Sequence, residues 1–157
     1  MATVKTPAEP PRGPTHGMGA ASVIVADGAV LLVKHNYGRH NWEIPGGVSE
    51  PGESAEATAR REAREELDVE LVVDGLTGVY WEATWGGIGG HHFVFLAHLD
   101  RGVAPRIADL NEIAEFRWCS PDDPPKPISD FTLTRIRDAV SGQRGLFREV
   151  GSRRWFE

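Results

Sequence analysis

One cysteine, Cys119, stands in the 157 residues, so no intramolecular disulfide can form. That excludes a disulfide scaffold and fits a reducing compartment, so a cytoplasmic location is expected. No apolar run approaches the ~18 residues that a membrane span requires, and no membrane partner is expected. Positive charge is also scarce. Seventeen Lys and Arg face 23 Asp and Glu, for a net charge of −6. Sequence-independent binding to nucleic acid draws on surplus basic charge, so no nucleic-acid partner is expected. An anionic small molecule would need local help from metal ions or a few basic side chains. No internal repeat is present. The amino-terminal MATVKTPAEPPRGPTHG lacks an apolar signal core and is proline-rich, so residues 1–16 are expected to form a disordered leader. Residues 17–141 are long enough for one domain with its own core. Residues 142–157 carry mixed signals and receive no assignment, and monomer and homodimer stay equally open.

Punctuation by turn residues organises the rest. Two β-rich runs flank Asp27-Gly28, a hairpin signal, and residues 36–41 read as a polar loop. Pro45 biases Ile44 toward extended backbone. Gly46-Gly47 and Pro51-Gly52 then mark turns, and Ser54 is placed to cap a helix from Ala55 to Leu67. Along that helix Ala55, Ala59, Ala63 and Leu67 form a narrow apolar stripe suited to close packing on a sheet, with the glutamates largely off it. Beyond it the runs VELVV, LTGVYWEATW, HHFVFLAHL and IAEFRW read as strands, the middle two joined by GGIGG. Ser129 is placed to cap a second helix ending near Val140, with Phe131, Ile136 and Val140 as its packing face. Strands, a helix, more strands and a closing helix predict an α/β (α+β) fold with a mixed sheet between helices.

Chemistry concentrates in the first helix. Glu62, Glu65 and Glu66 occupy positions i, i+3 and i+4 on one face, where each close pair of like charges costs a few tenths of a kcal/mol. A cation between them would remove that cost. Mg²⁺ takes a few carboxylates and keeps other positions for water and substrate phosphates. A glycine-rich loop leading into a helix also brings backbone amides toward phosphate oxygens, which makes Gly46 and Gly47 candidate substrate-binding residues. Metal-assisted hydrolysis of a pyrophosphate linkage follows as the expected chemistry. The bland alternative is a solvated helix whose glutamates pair with Arg60, Arg61 and Arg64.

The segment from Gly47 to Val69 resembles the Nudix box, GX5EX7REUXEEXGU, where U is a bulky aliphatic residue. Gly47, Glu53, Arg61, Glu62, Glu65, Glu66 and Val69 stand at matching positions. Ala63 replaces the first aliphatic residue and Asp68 the glycine, and neither change removes a carboxylate. The resemblance implies a Nudix-like sheet between helices and Mg²⁺ or Mn²⁺ as cofactor. It implies Glu62, Glu65 and Glu66 as metal ligands, with Glu112 as a further acid from a distant loop. Glu53 would assist or orient, and Arg61 would hold the loop against the helix. As general base Glu66 and Glu65 rank slightly ahead of Glu53 and Glu112.

The implied substrate is a nucleoside diphosphate linked to a group X. A nucleoside triphosphate such as an oxidised guanine nucleotide is preferred slightly over a nucleotide sugar. ADP-ribose or dinucleotide cleavage, RNA-end pyrophosphohydrolysis and nucleotide sensing without turnover stay as alternatives. Trp42, Tyr37, Tyr80, Trp81 and Trp85 are candidates for stacking on a base, and Trp42 is the first choice. Lys34 and Arg39 are candidates for distal phosphates. His91 and His92 are neighbours on a strand and so point to opposite faces, which favours structural or substrate-lining roles over a shared metal.

Overall fold

A computed structural model describes residues 15–157. The expected leader lies outside the described residues except for Thr15 and His16. The described strands are β1 (Gly17–Ala26), β2 (Ala29–His35), β3 (Trp42–Glu43), β4 (Gly46–Val48), β5 (Val72–Glu82), β6 (Gly90–His98), β7 (Ile113–Cys119), β8 (Ile128–Ser129), β9 (Leu146–Val150) and β10 (Trp155–Phe156). Helices α1 (Ala55–Leu67) and α2 (Asp130–Val140) complete the set, with a short 3-10 turn over Trp85–Gly87. The strands join in the order β10-β8-β3-β2-β1-β6-β5-β9, with β4 on β1 and β7 on β2. Pairs β1/β6, β3/β8 and β5/β9 are parallel and the others antiparallel, so the sheet is mixed.

The β1–β2 hairpin forms where expected. Asp27 and Gly28 both take positive φ, 49° and 77°, the backbone that a two-residue hairpin turn demands. Strand β1 then divides one of its edges. Gly19 to Ala21 pair with β4, whereas Val25 and Ala26 pair with β2. Between these pairings the Ser22 amide donates to Pro45 O at 2.9 Å. That split splays the sheet and sets the Gly46-Gly47 loop beside the N-terminal half of β1.

Alternation along the strands sends side chains to two cores. Ala21, Val23, Leu32, Tyr80 and Val94 pack with Phe131 and Ile136 of α2. Ile24, Leu31, Val33 and Ala97 pack with Ala63 and Leu67 of α1. The helices therefore cover opposite faces, and each fully buried Leu or Ile contributes about 1.5–3 kcal/mol. Ser54 caps α1 as its sequence requires, its Oγ accepting from Ala57 N at 3.1 Å. Asp68 ends the helix in the left-handed conformation (φ 53°, ψ 43°) that a glycine would take at about 1 kcal/mol lower cost.

Three details depart from the sequence reading. The end of VELVV and most of LTGVYWEATW join in one strand, β5, interrupted by register shifts between Val73 and Gly75 and between Leu76 and Gly78. On α2, Val140 is 44% exposed, and Ala139, Thr132 and Arg135 are buried beside Phe131 and Ile136. The unassigned tail supplies β9, parallel to β5, and β10, antiparallel to β8. Those partners lie near opposite edges of the sheet, so the tail crosses the start of α2. There Asp130 N donates to Arg154 O at 2.9 Å, and Arg154 N donates to Asp130 Oδ1 at 3.0 Å.

Candidate active site

Helix α1 meets the β4 loop through its glutamates. Glu62 and Glu66 are 8% and 4% exposed, so two of the three clustered carboxylates lie under the loop and not on the solvated face. Glu65 remains outside, its side chain 53% exposed. A Cβ at position 47 would collide with the Glu62 carboxylate and push that side chain out of its place. Position 46 is closed by backbone, since a Cβ would lie 2.5 Å from Ala20 O, so glycine is required there. Both glycines thus let the loop press against α1 on one side and β1 on the other.

Arg61 is the hub of this contact. Its Nε and Nη2 donate to Glu53 at 2.9 and 3.1 Å, and Nη2 also donates to Val48 O at 2.9 Å. Its Nη1 donates to Glu62 at 2.8 Å and to Glu65 at 2.9 Å. Arg61 holds the Glu53 carboxyl down at about 2, with help from the Glu50 amide. Glu53 also accepts from Thr58 Oγ1 at 2.8 Å, so both of its oxygens are engaged.

Glu66 sits in the opposite condition. Its one donor among the described residues is Gly46 N at 3.3 Å. Burial first, and then the charge of Glu62, push its pKa well above the carboxylate range. Burial likewise raises Glu62, against the pull of Arg61. Glu62, Glu65 and Glu66 line a cleft of about 310 Å³ together with Glu112, Tyr37 and the Gly46–Val48 loop. Glu112 enters from the segment before β7, where Asn36 N donates to Glu112 O at 2.7 Å. Among the described residues no three acidic side chains converge on one metal-sized point, and Arg61 bonds Glu62 and Glu65 at once. The donor chemistry nonetheless suits a hard dication. Four carboxylates line the cleft against the single basic side chain of Arg61, so negative charge there exceeds the charge that offsets it.

A second compartment of about 240 Å³ continues from the first through Tyr37, Gly46, Gly47 and Val48. Its other walls include Glu43, Trp85, His92, Arg135 and Arg153. Glu43 accepts from Ile44 N at 2.8 Å, Thr132 Oγ1 at 2.9 Å and Arg135 Nη2 at 2.9 Å. Arg153 forks onto Glu82 at 2.9 and 2.7 Å, and His92 Nε2 lies 3.0 Å from the same carboxylate.

Burial and the Arg135 charge push the His92 pKa from 6.5 down to about 4, although Glu82 opposes the shift. The folded chain therefore resists protonation of His92 while the unfolded chain accepts it. The stability from neutral His92 is present above pH 6.5 and drains away as pH falls from 6.5 toward about 4. Urea titrations at pH 7, 6, 5 and 4.5 are expected to show a shallower loss for His92→Gln than for the wild type. Equal slopes would remove His92 as the source.

Several residues proposed from sequence line neither compartment, Glu53, Tyr80 and Trp81 among them. Trp42 is 2% exposed and packs in the α2-side core, with the Arg117 guanidinium 4.9 Å from its ring centroid. It lines neither compartment, so its ring is not available to a base. Arg39 is turned to the tail, bonding Glu157 at 3.1 Å and lying 4.9 Å from the Trp155 ring centroid. Lys34, paired with Trp42 across β2 and β3, also lines neither compartment. Conversely, the sequence reading passed over Glu43, Arg135 and Arg153. A signal existed for Arg135, a charged residue four positions from both Phe131 and Ala139 on a packing face. Arg153 carried none.

Comparison with known proteins agrees with this architecture. The family model described as NUDIX domain matches residues 16–138. A MutT-like protein of Streptomyces ambofaciens is 31% identical over 136 residues, covering 87% of this chain and 84% of its own. A putative 8-oxo-dGTP diphosphatase of Bacillus subtilis is 30% identical over 128 residues, covering 82% and 83%. A crystal structure of a MutT NUDIX hydrolase from Burkholderia pseudomallei superposes with a TM-score of 0.71 at 28% identity, covering 79% of this chain and 98% of that one. With a matching family model over most of its length, two such relatives and the expected sheet between helices, the chain belongs to the Nudix hydrolase family.

Proposed function

We propose that this Nudix hydrolase is a Mg²⁺- or Mn²⁺-dependent pyrophosphohydrolase acting on a nucleoside triphosphate, with a nucleotide sugar as the next candidate. The observation that carries this reading is the buried, under-compensated Glu62–Glu66 pair facing the Gly46-Gly47 loop, with Glu65 and Glu112 around the same cleft. Glu62, Glu65, Glu66 and Glu112 would hold the metal, which when bound neutralises phosphate charge and activates water. Gly46 and Gly47 bring the loop backbone against the phosphate chain.

Water adds to one phosphorus as the bridging P–O bond breaks. The bridging oxygen leaves with the departing phosphate, giving a nucleoside monophosphate and pyrophosphate, or a phosphorylated X. Glu66 takes the proton of the attacking water, with Glu65 second. Its burial keeps proton affinity high enough for a base. Glu53, outside the cleft and fully engaged, is a positioning residue acting through Arg61. The name of the Bacillus relative, a putative 8-oxo-dGTP diphosphatase, favours a nucleotide substrate.

A panel of nucleoside triphosphates, nucleotide sugars, ADP-ribose and capped RNA, incubated with Mg²⁺, Mn²⁺ or EDTA and resolved by ion-exchange chromatography, tests this reading. Metal-dependent release of a nucleoside monophosphate is expected. Nucleotide-dependent thermal stabilisation without product would overturn catalysis in favour of sensing. Turnover unaffected by EDTA would overturn the role of the metal.

A further inference from the structure

The second compartment is built from two guanidinium groups whose charge is already spent. Arg135 is paired with Glu43, and Arg153 with Glu82. Each keeps one terminal nitrogen in reserve, because Nη1 of neither side chain has a hydrogen-bond partner among the described residues. The Arg135 side chain is only 5% exposed. The described polar atoms both sealed from solvent and unpartnered are Ser22 Oγ and Thr77 Oγ1, so Arg135 Nη1 keeps some exposure, and its residue lines the cleft.

Charge balance decides what kind of acceptor fits. Two cations offset by two carboxylates leave no net positive charge to hold a phosphate dianion. They still present donors. Around them stand flat rings: Trp85, whose ring lies 4.5 Å from His92, and Tyr37, 55% exposed and stacked on His35 at 4.7 Å. Aromatic walls over two free guanidinium donors, with the Glu43 oxygens already engaged by protein donors, match a neutral planar heterocycle with adjacent acceptor atoms. Guanine presents N7 and O6 as two adjacent acceptors, one for the free Nη1 of each arginine. Adenine opposes the same donors with its N6 amino group. In 8-oxoguanine N7 carries a hydrogen, so it too turns a donor toward the floor.

We propose that Arg135 and the tail residue Arg153 form the donor floor of a base subsite selective for unmodified 6-keto purines. The selectivity resides in the second compartment. The inference rests on the reading that the neighbouring acidic cleft takes the pyrophosphate, since that cleft fixes which end of a nucleotide enters here. It also gives the C-terminal strands a purpose. By clamping β9 onto β5 and β10 onto β8, the fold delivers Arg153 to the mouth of the site.

Titration calorimetry of the full chain in EDTA with GMP, AMP, 7-deaza-GMP and 8-oxo-GMP tests the subsite without turnover. GMP is expected to bind about tenfold or more tighter than AMP and 8-oxo-GMP, and 7-deaza-GMP to lose most of that advantage. Arg153→Gln is expected to bring GMP and AMP to within about twofold of each other, and Arg153→Lys to recover part of the gap. Equal binding of all four by the wild type, or tighter binding of 8-oxo-GMP, overturns the proposal. An unchanged GMP-to-AMP ratio in a folded Arg153→Gln variant also overturns it. Metal-dependent hydrolysis of triphosphates without base preference would sink the subsite and leave the pyrophosphohydrolase reading standing. Selective GMP binding without hydrolysis would do the reverse.

Discussion

Glu66→Gln is expected to lower turnover about 10²–10⁴-fold, the usual worth of a positioned general base. The same change is expected to raise the unfolding temperature in EDTA. The two effects share one cause. Glu66 is 4% exposed, sits beside the Glu62 charge and receives a single 3.3 Å bond from Gly46 N. Glutamine keeps an oxygen for that amide, removes the buried like charge and preserves side-chain volume. A site built to gather negative charge costs stability until a cation arrives. Mg²⁺ should therefore raise the melting temperature of the wild type and leave the variant nearly unmoved. Glu65→Gln provides the contrast, because Glu65 is half exposed and its loss should alter the EDTA melt little. Steady-state kinetics and melts with and without Mg²⁺ check both halves. Full turnover would remove Glu66 as the base, and a lower melting temperature in EDTA would show its charge to be well satisfied.

Much of the acidic cleft was legible because one helix and the loop before it build most of it. Ser54, the register of Glu62, Glu65 and Glu66, and the left-handed Asp68 are local features, and each appears where the sequence places it. Burial is not local. Nothing in REAREEL distinguishes Glu66, pressed under the β4 loop, from Glu65 facing water, because that depends on how β4 docks on β1. Trp42 shows the same limit from the other side. A tryptophan before the loop is a reasonable candidate for stacking, but pairing of β3 with β2 and β8 seals it in the core. Glu112 was found only through the resemblance, since 46 residues separate it from the glutamates it joins. The tail was unreadable because two short edge strands carry little pattern of their own. Their partners, β5 and β8, are set by the sheet order.

Arg135→Ala is expected to destabilise the chain by about 3–5 kcal/mol, the cost of stranding one member of a buried ion pair. Arg135 is enclosed by α2 and β3. It bonds Glu43 at 2.9 Å, its Nε donates to Phe131 O, and its guanidinium carbon lies 3.8 Å from the Phe131 ring centroid. Burial pushes its proton affinity down, and Glu43 is the group that holds it up. Without the arginine, Glu43 keeps the Ile44 amide and the Thr132 hydroxyl but loses its counter-charge. For a chain of this length the loss corresponds to a fall of about 10 °C in melting temperature. The penalty belongs to the orphaned charge and not to the missing volume, so it should be largely reversible. Glu43→Gln combined with Arg135→Met removes both charges, keeps an acceptor for the Ile44 amide and fills the space beside Phe131. That double variant is expected to recover more than half of the stability lost in Arg135→Ala. Urea denaturation of the single and double variants measures the coupling. If the double variant loses the sum of its single-variant costs, the pair is not a unit, and the cost of Arg135→Ala comes from packing against Phe131.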